Sequence, residues 1–482
     1  MNYIELFVFV AYFLFMVGIG LYFFIKSKNA GEKDYFLGGR NMGAWVSALS
    51  AGASDMSAWV LMGLPASIYA LGMGQTWIAI GLGIGYALSW IFMAPRLRRF
   101  SIRANDSITI PQYLTNRFLS KSKTLQILCA AIFLVAYTIY AASSIKACGT
   151  LFNTVMNIDA TVAMYIAAFI IIAYTFLGGF SAVCWTDFFQ GLIMLAALLI
   201  APIFALALVG SGSGAANATL PDGFFHFLTT PQDIISGLGW GLGYFGMPHI
   251  IIRFMSIKSE KELRKSSVIG ISWTTIILVM SALTAVAGRL YMGEIADSST
   301  VFIQLVRKIF PALVSGLLLS AILSAAMSTA DSQLLAASSA FASDVYKPVF
   351  RKNASNKEML WASRIVVLII SVVAVLIASN PNSGSIMGLV ENAWGVFGAA
   401  FGPTILLSLF WKRFNFSGAV AGIAVGAVAD ILWLIALKST GIYEIVPGFI
   451  LSLIAAVVVT LCTKAPDAEV EALFDDASKP EA

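Results

Sequence analysis

The residues best suited to chemistry lie between Ser50 and Trp59, reading Ser-Ala-Gly-Ala-Ser-Asp-Met-Ser-Ala-Trp. They put a carboxylate (Asp55), three hydroxyls (Ser50, Ser54 and Ser57) and several small residues inside an otherwise apolar stretch, residues 43 to 71. About 20 apolar residues cross a bilayer, so this stretch is long enough to do so. An ionised Asp at mid-membrane costs about 2.5 to 3.5 kcal/mol even on the lenient insertion scale, and something must offset that cost. One reading is a packing seam, since small and hydroxyl residues bring membrane helices together. The other is a helix that unwinds at mid-membrane and frees backbone carbonyls which, with nearby oxygens, hold a cation. Unwound backbone is tolerated at that depth only where it lines a cavity or is buried in protein.

A second oxygen-rich run occupies residues 312 to 345: Ser320, Ser324, Ser328, Thr329, Asp331, Ser332, Gln333, Ser338 and Ser339. Ser324, Ser328 and Ser332 recur every four residues, which stacks them on one helical face. Neutral hydroxyls and carbonyls suit Na⁺ better than a divalent ion, which recruits several carboxylates. The alternative is hydroxyls that bond back to their own helix carbonyls. Asp187, in Trp-Thr-Asp, either caps a helix, lines an ion's exit path, or does both. Asp331, Asp430, Lys146 and Arg289 read as internal pairs or snorkelling ends. Trp59, Tyr140, Trp240 and Tyr244 either shape a small-solute pocket or simply pack and belt the interface.

The elements that must position these groups are membrane spans. Of 482 residues, 59% are hydrophobic and 11% charged, and the mean hydropathy is +0.86, which excludes an ordinary soluble domain. Apolar runs fall at 3 to 25, 43 to 71, 74 to 95, 124 to 155, 160 to 178, 182 to 210, 232 to 254, 267 to 291, 312 to 345, 361 to 379, 385 to 411, 417 to 437 and 442 to 463, thirteen in all. Lys and Arg gather in alternate loops, including Lys28, Lys33 and Arg40, then Arg96, Arg98, Arg99 and Arg103, then Lys258 to Lys265. By the positive-inside rule the N-terminus lies outside and the C-terminus in the cytoplasm. The net charge of +5 thus reports cytoplasmic loops and gives no argument for nucleic acid. The first run lacks a basic n-region and a cleavage site, so it reads as a retained span. The acidic tail from Asp467 reads as disordered.

Span seven carries Gly237, Gly239, Gly241, Gly243, Gly246 and Pro248, a poor continuous helix. Two interrupted spans at matching places in two halves point to a transporter with internal repeats. Spans two and seven are five apart. The division is therefore 1 to 42 (first span and cytoplasmic loop), 43 to 211 (first five-helix repeat), 212 to 231 (extracellular loop), 232 to 413 (second, inverted repeat), 414 to 463 (two added spans) and 464 to 482 (tail). Other signals are weak. Gly81-Leu-Gly-Ile-Gly85 lacks a following Lys-Ser and reads as helix packing. Cys129, Cys148, Cys184 and Cys462 read as free, buried thiols. His226 and His249 make no metal site, and Asn217-Ala-Thr219 is a bare glycosylation sequon.

With these residues in view, the chain resembles the sodium:solute symporter family, and within it the bacterial sodium/proline branch. The matching blocks are Asp34-Tyr-Phe-Leu-Gly-Gly-Arg40, Ala48-Leu-Ser-Ala-Gly-Ala-Ser-Asp-Met-Ser57, Met62-Gly-Leu-Pro65, Gly239-Trp-Gly-Leu-Gly-Tyr-Phe-Gly246 with Pro248-His249, and Leu319-Ser-Ala-Ile-Leu323 with Met327-Ser-Thr329. The resemblance implies an all-α polytopic membrane protein of the leucine-transporter type, with thirteen helices, an inverted five-helix repeat and two discontinuous helices. It implies a sodium site made by the carbonyls of Ala53, Met56 and Ala325 and the hydroxyls of Ser328 and Thr329. Asp55, Ser57, Arg40 and Asp187 would support sodium coupling. Ser57, Trp59, Tyr140, Trp240, Tyr244 and Pro248 would form the solute pocket. Met247, Asp331 and Lys146 depart from the family pattern.

The expected function is import of L-proline with Na⁺ by alternating access across a bacterial plasma membrane, with no cofactor, no nucleic acid and no obligate protein partner. The rivals are symport of another small solute (amino acid, carboxylate or sugar) and a transporter-fold membrane sensor. The stretch after Cys462 is too short for an output domain, and no Ser/His/Asp set, metal spacing or cofactor loop supports an enzyme.

Overall fold

Helix starts follow from local capping chemistry. Ser259-Glu-Lys-Glu262 and Ser355-Asn-Lys-Glu358 carry the capping-box sequence, and in the computed structural model its N-cap half forms: the Glu262 and Glu358 amides donate to the Ser259 and Ser355 hydroxyls at 3.3 and 3.2 Å. They open the helices Glu260–Met292 and Asn356–Ser379. The structure describes residues 2–26, 32–177, 179–214 and 220–480, where every regular element is helical apart from one isolated bridge, Met42 to Ile257. Lys28 and the 217 to 219 sequon lie outside the described residues.

Among those residues ten helices are long and apolar enough to cross a membrane: Tyr3–Phe23, Met73–Arg103, Thr124–Met156, Phe180–Ser213, Glu260–Met292, Ala312–Phe350, Asn356–Ser379, Ile386–Phe410, Phe416–Ala436 and Ile445–Cys462. The other three expected spans take different forms. Residues 160 to 178 become the helix Ala160–Leu177, while 43 to 71 and 232 to 254 are broken. The first break separates Ala44–Asp55 from Gly63–Leu71, with a short turn at Ala58–Val60. The second separates Pro231–Gly239 from Pro248–Ser256, with the 3₁₀ turn Trp240–Phe245 between them.

Each break has a local cause. Met56 (ψ 70°) and Ser57 (ψ −172°) leave the helical region, and the Ser57 hydroxyl accepts from the Trp59 amide at 3.5 Å, a competing bond of the kind Ser offers a turn. Pro248 has no N–H and disfavours helix at the residue before it; Met247 is extended (φ −81°, ψ 104°). The glycines of span seven serve close approach instead. A Cβ on Gly81 or Gly85 would sit 2.2 or 2.1 Å from the Gly237 or Gly241 carbonyl oxygen, so the two segments meet backbone to backbone and the Gly81 run is indeed helix packing.

The helix Ala44–Asp55 packs among Phe180–Leu208, Glu260–Met292 and Ala312–Ser339. Trp273 seals this contact, lying where a Gly52 Cβ would be (2.6 Å) and donating to the Gly191 carbonyl at 3.2 Å. Two expectations are corrected. The tail is ordered as the helix Ala468–Ser478: Val470, Phe474 and Ala477 form a buried i, i+4, i+7 stripe, Arg117 and Arg96 stack on Phe474 at 4.9 and 5.7 Å, and Arg103 pairs with Asp476 at 2.9 Å. Cys462 is exposed, as the last residue of the helix Ile445–Cys462, whereas the other three free thiols are buried.

Candidate functional site

The two breaks face each other. Asp55, the last helical residue before the first break, accepts a hydrogen bond from the Tyr244 hydroxyl of the second break at 2.5 Å through Oδ2. Its Oδ1 has no hydrogen-bond partner among the described residues, although the side chain is fully buried. His249, just after Pro248, is a buried strut. Its Nε2 lies 3.1 Å from the Ser54 carbonyl, its Nδ1 3.2 Å from the Tyr137 hydroxyl, and its amide donates to that hydroxyl at 2.9 Å. The neutral tautomer with its proton on Nε2 satisfies all three contacts, with the Tyr137 hydroxyl donating to Nδ1.

Beside the first break, oxygens converge from two helices. The Ser328 hydroxyl donates to the Ala53 carbonyl at 2.7 Å and lies 3.3 Å from the Ala325 carbonyl, and the Thr329 hydroxyl reaches Ala53 O at 3.5 Å. Four of the five expected sodium ligands are thus brought together. The fifth, Met56, is buried at the break three residues on, its amide still bonded to the Gly52 carbonyl at 2.8 Å. Four neutral oxygens with water excluded suit a hard monovalent cation. The hydroxyls, now donating to carbonyls, would have to rotate and present lone pairs to it.

One helical turn away lies a second cluster that sequence reasoning missed. Arg253, on Pro248–Ser256, is 1% exposed. Its guanidinium pairs with Asp187 Oδ2 at 3.1 Å, donates to Ser332 Oγ at 2.5 Å and Ser50 Oγ at 3.1 Å, and also holds the His249 carbonyl. Ser50 in turn donates to Asp187 at 2.6 Å. Four helices are therefore tied together directly beside the Ala53 and Ser328 oxygens. The signal was available: an Arg inside an apolar span needs an internal partner. Asp187 is not a cap, because its helix begins at Phe180, a full two turns earlier, with no side-chain cap; the pair with Arg253 accounts for it.

The remaining expected residues fall in three places. Ser57, Trp59, Tyr140, Trp240, Tyr244 and Pro248 are all buried. The Trp59 indole donates to the Asp55 carbonyl at 3.2 Å, and the Tyr140 hydroxyl lies near Ser57 and Trp59 without a well-formed bond to either. Trp394, another residue not foreseen, joins the second break: its indole donates to the Trp240 carbonyl at 2.8 Å and its ring meets Tyr244 edge-on at 5.1 Å. Arg40 is remote from the ion oxygens. It lies in a turn at φ 55° and clamps Asp106 (2.9 Å), Ser101 (3.0 Å), the Ser107 carbonyl (2.8 Å) and the Met255 carbonyl (2.6 Å). Partial burial opposes the charge of Asp106, yet Lys33 and Arg40 together hold its carboxyl below the usual range.

Among the described residues Lys146 pairs with no acid; it reaches the Ser383 hydroxyl at 3.1 Å and the Gly384 carbonyl. Arg289 lies over the Tyr69 ring at 4.8 Å. Asp331 sits beside Ser332, at 3.3 Å. Among the described residues no group of three His, Cys, Asp or Glu side chains is placed to hold a metal.

A helical membrane bundle with two opposed breaks and an oxygen cluster beside the first of them defines an ion-coupled transporter of the leucine-transporter type. The solved structures agree on the fold: a Na⁺-coupled sialic acid symporter in a substrate-bound outward-open state matches with TM-score 0.80 at 21% identity, covering 96% of this chain and 99% of that one. Mhp1, a nucleobase-cation-symport-1 family transporter, matches with TM-score 0.57 at 14% identity, over 91% and 97%. The family model for the sodium:solute symporter family matches residues 35–426, and the chain belongs to that family. It is similar to the osmoregulated proline transporter OpuE of Bacillus subtilis, 44% identical over 94% of both chains. It is also similar to the sodium/proline symporter of Escherichia coli, 40% identical over 97% of this chain and 95% of that one. The family consists of transporters, not enzymes.

Proposed function

We propose that this protein imports L-proline together with Na⁺ by alternating access. The observation that carries the reading is the meeting of the Ala53 carbonyl with the Ser328 and Thr329 hydroxyls at the first break. Support for proline comes from the relatives named above, which match nearly end to end. Sodium, held by Ala53, Met56, Ala325, Ser328 and Thr329, would order the break. The solute would bind against Ser57, Trp59, Tyr140, Trp240, Tyr244 and Pro248. Asp55 acts through the geometry of the break and its bond to Tyr244. Asp187 acts with Arg253 as the tether that keeps four helices in register, and Arg40 as the clamp at the cytoplasmic end. Coupling is then binding linkage between two ligands that favour the same conformation.

The topology that fits this reading has thirteen spans, counting the two broken helices and Ala160–Leu177 with the ten long ones. Residues 43 to 211 and 232 to 413 form the inverted five-helix repeats, 1 to 42 and 414 to 463 the additions, and 464 to 482 the tail. The N-terminus and the 212 to 231 loop lie outside, the C-terminus in the cytoplasm of a bacterial cell. One Na⁺ entering down a tenfold gradient and 100 mV supplies about 1.4 plus 2.3 kcal/mol, enough for roughly 500-fold accumulation. The specificity test is competition: unlabelled proline should suppress uptake of labelled proline at a lower concentration than any other amino acid, carboxylate or sugar. A different winner would transfer the pocket to that solute.

A further inference from the structure

Asp430 has no role in the function above. It lies within the membrane helix Phe416–Ala436, six residues or about 9 Å from its end. It is fully buried, and neither carboxylate oxygen has a hydrogen-bond partner among the described residues. Gly395 makes room for it: a Cβ there would meet Asp430 Oδ1 at 2.8 Å and Oδ2 at 3.4 Å, with Glu444 Cγ at 3.3 Å. Asp430 and Glu444 therefore share one small space between three helices. Glu444 Oε1 is likewise buried and unpartnered.

The two acids are not equivalent. Glu444 stands at the N-terminal end of Ile445–Cys462, where the helix dipole favours a negative charge. It also lines a cavity of about 230 Å³ with Glu391, Lys438, Trp240 and Tyr443. Among the described residues Asp430 has no hydrogen bond and no paired cation; Glu444 is the charge that faces it, with Glu391 and Lys438 beyond and the Tyr443 ring alongside. An isolated buried carboxylate meets such a setting by taking up a proton, which costs far less than remaining charged. An alkali ion would need several more oxygens than this pair supplies.

We propose that Asp430 is a proton-binding site, facing Glu444 and filled through the cavity between Trp240, Glu391 and Tyr443. Its occupancy bears on the mouth of the solute pocket. Tyr443 precedes Glu444, packs against Trp240 with ring centroids 5.0 Å apart and tilted by 36°, and is fixed by its hydroxyl to the Glu391 carbonyl (2.8 Å) and by its amide to Ser236 (3.0 Å). Loss of the Asp430 proton puts two like charges in one space, displaces Glu444 from Asp430, and so disturbs the contact of the adjoining Tyr443 with Trp240.

Infrared difference spectra of the purified full-length protein in vesicles test the site without reference to solute or orientation. The protonated-carboxyl C=O band of Asp430 should be present in wild type, vanish in Asp430→Asn, and titrate at lower pH in Glu444→Gln, where the opposing charge is gone. Spectra of wild type and Asp430→Asn that superimpose at every pH would overturn the proposal. A band removed by Na⁺ at constant pH would assign the site to an alkali ion instead. The link to the mouth rests on the topology proposed above and has its own readout. A membrane-impermeant thiol reagent should label Gln75→Cys, on the cavity wall, with a rise in rate with external pH steeper than thiolate formation alone gives, and the addition of Asp430→Asn should reduce that rise to the one shown by a freely exposed cysteine. A rate that still rises more steeply in the double variant than that of a freely exposed cysteine would refute the link while leaving the infrared result intact.

Discussion

Replacing Ser328 with Ala removes one oxygen from the proposed sodium site and leaves the fold intact. In the structure this hydroxyl is fully buried and 2.7 Å from the Ala53 carbonyl, so water has little room to take its place. A hydrogen bond or ligand contact to a charged group is worth about 1.5 to 3 kcal/mol. At 1.4 kcal/mol per tenfold, that predicts a rise of roughly 12- to 150-fold in the Na⁺ concentration for half-maximal uptake. Thr329→Ala, whose hydroxyl is at 3.5 Å, should act in the same direction. Ser320→Ala is the matched control. It lies on the same helix, but its hydroxyl donates to the Gly316 carbonyl at 2.8 Å, and its Na⁺ requirement should stay within about twofold. The assay is solute uptake into vesicles across a Na⁺ titration at fixed membrane potential. An unchanged Na⁺ requirement in Ser328→Ala, or an equal rise in Ser320→Ala, would refute the assignment.

Other perturbations probe the surroundings. Asp55→Asn keeps the shape of the break but weakens the acceptor for Tyr244; insertion should be normal and the Na⁺ requirement steeply higher, and an unaltered Na⁺ titration would remove Asp55 from the coupling. Arg253→Gln breaks a buried ion pair, 2% and 0% exposed, at a cost of about 3 to 5 kcal/mol. Its melting temperature should fall clearly, with partial recovery in Arg253→Gln/Asp187→Asn, and no recovery would mean that the two residues act separately. The Asp106 clamp has a depressed carboxyl pKa. Its contribution is therefore present above the ordinary carboxylate value of about 3.9 and is lost only as pH falls through a lower value. The melting difference between wild type and Asp106→Asn should be constant from about pH 5 to 8, and a difference that vanishes within that range would contradict the clamp.

Much of this was legible in the chain because each break announces itself locally. Asp55 among hydroxyls, and Pro248 after a glycine run, violate the pattern of an apolar helix within ten residues. The meeting of Ala53 with Ser328 is tertiary, reachable only through the family resemblance. Arg253 was missed because its partner Asp187 lies far away in the chain. Asp187 was in turn misjudged as a possible cap, since hydropathy places helix starts only to within a few residues. The tail shows the opposite error: its charge suggested disorder, while Val470, Phe474 and Ala477 already formed a stripe that could dock. Trp394 carried no signal, as one aromatic among many.

The most direct test of the central claim is uptake of radiolabelled L-proline into proteoliposomes of the purified protein under an imposed inward Na⁺ gradient, with matched K⁺ controls. Concentrative uptake that requires Na⁺ is the predicted result. Uptake that proceeds equally in K⁺, or no uptake with any cation, would contradict it.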